Sequence, residues 1–227
     1  MKIASRDQRI TDYNEAYPIK IEDAVTRVEQ YFTDRGWNLK KAAKKAAKKA
    51  SFIVDKREYR SIHILMYEYP MKTDRPRTFN GHTFSPNAAA NKDYFRKALT
   101  KIISTLQLIT TPAEILIDAY LEMPSRVPPD EVILFEAKLL NPIDRPDYDN
   151  IEKCYTDMLT SVITTDDDIF YHAEITKYYS LLPRVDITIR YLNKHESDYI
   201  YKKIKGRKSI KEGIASGQIV LEKLTDT

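Results

Sequence analysis

The chain has 227 residues and a mass of 26.5 kDa, and 42% of it is hydrophobic, with 16 Tyr and 7 Phe, which is too apolar for wholesale disorder and enough for one large domain, or for a domain of about 130 residues with extensions. One cysteine, Cys154, excludes an internal disulfide framework and a cysteine-cluster zinc site, and five scattered glycines exclude a Walker loop or a dinucleotide fingerprint, so no nucleotide cofactor is expected. The net charge of +4 is unevenly spread: residues 1–59 carry 14 basic and 9 acidic side chains, residues 60–193 carry 15 and 19, and residues 194–227 carry 8 and 5. Basic flanks suit a polyanion, and an acidic centre tolerates one only if cations neutralise it.

Residues 1–20 show no strong period and read as an arm. Met1-Lys2-Ile3-Ala4-Ser5-Arg6-Asp7 runs straight into charge and no apolar stretch approaches a bilayer span, so the expected location is the cytoplasm, with no membrane partner. From Ile21 the apolar residues 21, 24, 25, 28, 31 and 32 are spaced as one helix face up to Arg35. Gly36 is a stop and Asn38 a cap for a second helix, Leu39–Ala50. At 100° per residue, Lys40, Lys41, Lys44, Lys45, Lys48 and Lys49 fill one half of that helix and the alanines the other. A helical hairpin with an outward lysine face, either a candidate DNA-binding surface or a solvated solubilising one, is therefore expected ahead of the main domain, with Trp37 pinning the pair.

Alternation then predicts a strand from near Ser61 to Pro70 and a polar loop over Met71–Gly81. Within that loop Pro76 separates Arg75 and Arg77 and projects both from extended chain, which makes them candidates for phosphate contact. Phe95, Leu99, Ile102, Ile103 and Leu106 mark a helix, Glu114–Glu122 a strand, Asp130–Leu140 a short helix and Asn150–Ile163 a longer one. Strands near Phe170–Tyr179 and Val185–Leu192 follow. The order argues for an α+β fold, one mixed sheet covered by helices. Beyond Asn193, Tyr199, Tyr201, Lys202, Lys203, Lys205, Arg207 and Lys208 combine aromatic faces with charge, which suits single-stranded or unstacked DNA and equally a docking tail whose tyrosines pack on the core, while Gly206, Gly213 and Gly217 break any long helix. Three regions result: an N-terminal extension over 1–58, a central domain over 59–193 and a basic tail over 194–227.

The most informative segment is Arg145-Pro146-Asp147-Tyr148-Asp149-Asn150-Ile151-Glu152-Lys153. Pro146 disfavours helix at Arg145, so Asp147 and Asp149 lie in extended chain, both pointing to one side, or at a helix entry. Lys153 returns to the face of Asp149 one helical turn later. The helix leads to a second acid cluster, Asp166-Asp167-Asp168, before a strand. Hard oxygen ligands in that pattern suit Mg²⁺ or Mn²⁺, and two such ions about 4 Å apart support phosphodiester hydrolysis. Spacing alone is equally compatible with Asp149 as a helix cap and Asp166–Asp168 as a solvated turn.

The stretch from about Arg60 to Leu192 resembles the RusA-type Holliday junction resolvases, a family common in phages and prophages. Pro70-Met71-Lys72-Thr73-Asp74-Arg75-Pro76-Arg77 followed by Thr83-Phe84-Ser85-Pro86 is similar to the family's basic loop and turn. Residues 145–153 look like its (K/R)-P-D-x-D-N-x-x-K core, and Asp157-Met158-Leu159 is similar to its D-A-L. Asp166-Asp167-Asp168-Ile169-Phe170 stands where the family has D-D-x-Q-(I/V), and Pro183-Arg184-Val185-Asp186-Ile187-Thr188-Ile189 looks like its closing strand. The resemblance implies Mg²⁺-dependent cleavage of branched DNA by a homodimer, each subunit cutting one strand. By position it makes Asp147, Asp149 and Asp167 the metal-binding catalytic carboxylates and Lys153 the catalytic lysine, with Asn150 supporting the site. Ile169 replaces the usual Gln and Asp168 adds a third acid, which leaves open which of Asp166, Asp167 and Asp168 meets metal, with position favouring Asp167. The alternatives are a broader nuclease acting on flaps, forks or D-loops, and a non-catalytic branched-DNA-binding protein whose acids are structural.

Overall fold

Strict alternation in Ala113-Glu114-Ile115-Leu116-Ile117-Asp118-Ala119 decides the centre of the fold, because every second residue is buried and the intervening ones are half-buried. The computed structural model describes residues 26, 29–55, 58–72, 77–79, 82–84, 88–100 and 107–223. They include helix α1 (Leu39–Asp55), strands β1 (Tyr59–Met66), β2 (Arg77–Phe79) and β3 (His82–Phe84), and helix α2 (Ala88–Thr100). Strand β4 (Ala113–Glu122) and helices α3 (Pro129–Glu136) and α4 (Tyr148–Leu159) follow, then β5 (Phe170–Ser180), β6 (Arg184–Leu192), α5 (Asp198–Gly206) and α6 (Lys208–Ala215). The chain divides into two compact units, Met1–Arg57 and Glu58–Thr227.

In the first unit, helical residues 29–33 end in a turn at Gly36, whose φ of +76° is open to glycine at no steric cost. The Asn38 side chain accepts the Lys40 N–H at 3.0 Å and starts α1 where a cap was expected. Ala42 and Ala46 are buried, while Lys40, Lys41, Lys44, Lys45 and Lys48 are exposed. Phe32 rests 4.7 Å from Trp37, and the ammonium groups of Lys41 and Lys45 stand 4.8 and 5.0 Å from the Trp37 ring centre. Helix α1 runs to Asp55, five residues beyond Ala50, since no Gly or Pro interrupts Ser51-Phe52-Ile53-Val54. The arm over 1–20, most of the helix expected from Ile21, and the Lys49 side chain lie outside the described residues.

The second unit is built on a four-stranded mixed sheet of order β1-β6-β4-β5. β6 pairs antiparallel with both β1 and β4, and β4 pairs parallel with β5. The parallel pair requires a long crossover, and α3 and α4 supply it. One face carries Ile64, Met66, Ile115, Ile117, Val185, Ile187 and Ile189, joined in a single core by Phe95 and Leu99 of α2 and by Ile151, Cys154, Tyr155, Met158 and Leu159 of α4. The opposite face is polar, with His63 2.5 Å from Asp186 and Arg190 3.1 Å from Glu114. This is the α+β, helix-covered mixed sheet that the order of elements predicted. The loop expected over Met71–Gly81 contains β2, which pairs with β3 in a small hairpin. Three-residue strands are too short to show a period. Arg75 and the Arg77 side chain lie outside the described residues.

The stretch beyond Asn193 folds as two short helices. The Ser197 side chain accepts the Ile200 N–H at the start of α5, and Ile204, Ile210 and Ile219 form a second small core with Leu108, Ile200 and Leu221 packed against it. Gly213 is needed for close approach here, because a Cβ would come 2.4 Å from Cδ1 of Ile219. His195 is 1% exposed beside the Tyr201 ring, and neither ring nitrogen has a hydrogen-bond partner among the described residues. Burial pushes its pKa below the ordinary value. The unfolded chain therefore takes up this proton first, near pH 6.5, so the neutral ring's contribution to stability is complete above that pH and is lost as pH falls. We expect the melting temperature to drop as pH falls below about 6.5, and His195→Leu to drop less over the same range. An identical drop in both proteins would assign the acid sensitivity to other groups.

Candidate functional site

Helix α4 arranges the site. Ile151, Cys154, Tyr155, Met158 and Leu159 recur at helical spacing and face the core, which turns Asp149, Lys153 and Asp157, each four residues apart, outward in one exposed row. The helix begins at Tyr148, so Asp149 stands in its first turn and only Asp147, at φ −67° and ψ 146°, keeps extended backbone. Of the two arrangements the sequence left open, the helix entry is the observed one. An acid in the first turn is favoured by the helix dipole. The Asn150 amide reaches Asp147 Oδ2 at 3.4 Å.

The loop leading to Asp147 is tied to β5. Lys177 Nζ donates to the carbonyl oxygens of Asp144 and Pro146 at 2.9 and 3.0 Å, on either side of the cis Arg145–Pro146 peptide. The Tyr179 hydroxyl donates to Asp144 Oδ2 at 2.5 Å, and burial followed by that carboxylate pushes its pKa up to about 12. Sequence reasoning missed Lys177 and Tyr179. The available signal was a lysine two residues before a tyrosine on the inward parity of a strand, where Ile175 also sits. If Asp147 has the catalytic role that the resemblance implies, Lys177→Met is expected to lower the single-turnover cleavage rate about tenfold, because charge-assisted bonds to both carbonyls are lost and Asp147 is left poorly held. The Tm should fall only a few degrees. A rate equal to wild type would show that Asp147 needs no such anchor.

After α4 the chain reverses tightly. Ser161 N–H donates to the Thr164 carbonyl at 2.7 Å, and Ile109 bridges to Thr164. Asp166 then accepts the Asp167 N–H at 3.0 Å and starts a single 3₁₀ turn, Asp167–Ile169, that contacts α4. Asp167 is held above the usual carboxylate range by burial first, then by Asp166 and by Asp157 of α4. Asp168 accepts a two-pronged pair from the Arg207 guanidinium, which also stands 3.7 Å from Asp166 Oδ2. Arg207, expected among DNA-binding residues, is thus committed to the acid turn, while Lys202 and Lys203 are exposed. His172 lies in register with Glu114 on the sheet face opposite α4.

The structure places the predicted carboxylates at the two ends of α4, Asp147 and Asp149 at its start and Asp166, Asp167 and Asp168 beyond its end. Asp149 and Asp157 are eight residues apart, about 12 Å of axial rise, and Asp157 is the one that acts on Asp167. Among the described residues no three Asp, Glu, His or Cys side chains are gathered tightly enough to hold an ion. Two carboxylates 4 Å apart repel by about 4 kcal/mol at an effective dielectric of 20, and the acid turn meets this by pairing two of its three acids with Arg207. In kind the donors fit a hard divalent cation: they are all carboxylate oxygens, and Asp167 sits where further negative charge is resisted.

Among proteins of known sequence, the chain is similar to the uncharacterized protein YqaN of Bacillus subtilis (strain 168), 31% identical over 136 residues that make up 57% of this chain and 95% of that protein. The profile of the family described as Endodeoxyribonuclease RusA matches residues 68–190, more than half of the chain. That span contains β2 to β5 and most of β6, with the whole of α4, the Asp147 loop and the acid turn, and it establishes that the chain belongs to the RusA family of endodeoxyribonucleases.

Proposed function

We propose that this protein resolves Holliday junctions and related branched DNA by divalent-metal-dependent hydrolysis of phosphodiester bonds, as a homodimer in which each subunit nicks one strand. The observation that carries the reading is the exposed row Asp149–Lys153–Asp157, which leads along α4 to Asp167 inside the family-matched span. The reading assigns Mg²⁺ or Mn²⁺ to Asp147, Asp149 and Asp167; α4 separates the first two from the third, so they would share one ion only after the Asp147 loop and the acid turn draw together. Bound there, the ion supplies an activated water and charge stabilisation for the leaving oxygen. Lys153 lies between two carboxylates on an exposed helix face, where its ammonium holds the scissile phosphate against their repulsion. Asn150 restrains Asp147, and Lys177 holds the backbone that carries it. The lysine face of α1 together with Lys202 and Lys203 adds affinity for the backbone of branched DNA, read through phosphate charge and not through bases. Paired cuts need two such sites, hence two copies. Among the described residues no helix is long and apolar enough to cross a membrane, which agrees with action in the cytoplasm, a host bacterium's if the chain is phage-encoded.

The deciding experiment is Mg²⁺-dependent cleavage of a synthetic mobile four-way junction beside flap, fork and linear duplex DNA, with Asp149→Asn as control. Paired symmetric nicks confined to the junction and lost in the variant support resolution. Equal cutting of flaps and forks identifies the broader nuclease. Tight junction binding with no cleavage in Mg²⁺ or Mn²⁺ refutes the catalytic assignment.

A further inference from the structure

We propose that Arg207 is a positioning residue of the cleavage site, supplied from outside the family-matched span, and that it decides which carboxylate of the acid turn is offered to a cation. The inference rests on the nuclease reading for its activity arm alone.

Three adjacent acids give the turn three candidate ligands, and two of them are already occupied. Asp168 takes both prongs of the Arg207 guanidinium, and Asp166 caps the turn through the Asp167 N–H while standing 3.7 Å from the same guanidinium. A planar two-pronged pair fixes direction as well as charge, which a lysine or a bulk counterion does not. Asp167 is left facing Asp157 across the α4 contact.

Arg207 is itself held in place. It sits between α5 and α6 with extended backbone, at φ −69° and ψ 141°, serving as the C-terminal flank of one helix and the N-terminal flank of the next. Both helices are anchored by the small core of Ile204, Ile210 and Ile219. That core packs on Leu108, and the next residue, Ile109, exchanges backbone hydrogen bonds with Ile163 and Thr165 immediately before the acids. Two routes, the guanidinium and the 108–109 segment, therefore register the C-terminal helices against the same turn. The family match ends at residue 190, so this support belongs to the chain's own extension.

The charge count gives the test its sign. Removing Arg207 frees Asp168 and Asp166, so the turn attracts cations more strongly, yet places them at the wrong carboxylates. A residue that merely braced the fold would not behave in this way, because deleting its partner as well would not repair the damage. The measurements are Mn²⁺ titration of the full-length protein, followed by the electron paramagnetic resonance signal of free Mn²⁺, and single-turnover junction cleavage at saturating Mg²⁺. For Arg207→Gln we expect Mn²⁺ affinity to rise by about tenfold and cleavage to fall by about tenfold or more. In the double variant Arg207→Gln with Asp168→Asn, affinity should return to near wild type and most of the lost cleavage should be recovered. Arg207→Lys, which keeps the charge and loses the two-pronged geometry, should fall between wild type and Arg207→Gln, and it covers the case in which the glutamine variant melts early. Unchanged or weaker Mn²⁺ binding in Arg207→Gln, or a double variant as inactive as the single one, overturns the proposal. If the wild-type protein cuts no DNA, the nuclease reading fails and the Mn²⁺ titrations alone decide the role of Arg207.

Discussion

Asp167→Asn is expected to lower the single-turnover rate of junction cleavage by at least roughly a thousandfold while leaving junction affinity within about threefold of wild type. The substitution keeps the shape of the side chain and removes its charge, so the 3₁₀ turn and the Asp166 cap on the Asp167 N–H have no reason to change. What is lost is the carboxylate that Asp166 and Asp157 both act upon. Affinity measured in Ca²⁺ by fluorescence anisotropy separates binding from chemistry. A variant that retains a tenth of the wild-type rate would move the catalytic role to Asp166 or Asp168.

The second large effect concerns stability. Tyr155 is completely buried in the centre of α4, and its hydroxyl accepts the Met71 N–H at 3.0 Å. Burial, ahead of every other influence, pushes its pKa well up, so the group is a neutral phenol throughout the working range. Tyr155→Ala should cost about 3–5 kcal/mol through the cavity it leaves. For a domain of this size that corresponds to a Tm lower by roughly 10 °C or more. Tyr155→Phe keeps the ring and deserts the Met71 N–H, at a cost of about 1–3 kcal/mol. Thermal melts of both variants check the order. A phenylalanine variant as stable as wild type would mean that water satisfies the Met71 N–H equally well.

The two parts of the chain differ in how much their residues disclosed. The β4 alternation and the apolar spacing of α4 announced themselves because a half-buried strand and an amphipathic helix repeat with periods of two and 3.6, and the mixed sheet follows from their order. Asn38 and Gly36 marked the start of α1 for equally local reasons, a side-chain cap and a positive φ. The β2–β3 hairpin was hidden because three residues carry no period. The candidate site was legible as a set of residue types and not as an arrangement. Asp149 and Lys153 share a face by helix geometry alone, whereas the distance along α4 to Asp167 depends on a reversal held by Thr164 and Ile109, more than fifty residues apart in sequence. The contact of Arg207 with the acid turn was hidden for the same kind of reason. In a lysine-rich tail an arginine looks like one more surface cation, and only the packing of Ile204, Ile210 and Ile219 brings it to Asp168. Lys177 and Tyr179 belong with it, since their inward parity on β5 singles them out and does not reveal that their partners lie on a distant loop.

The seating of Leu108 beneath the C-terminal helices also bears on how the protein can be handled and how its lineage is drawn. A fragment trimmed to residues 68–190 would strip the lid from Leu108, remove β1 from its place beside β6, and leave Asp168 without its guanidinium. The limits of the family match and the limits of an independently folding body therefore do not coincide in this chain. Relatives with two acids at this turn have no third carboxylate to sort. Grafting this acid turn into one of them without residues 193–223 transfers the carboxylates and omits the part that sorts them.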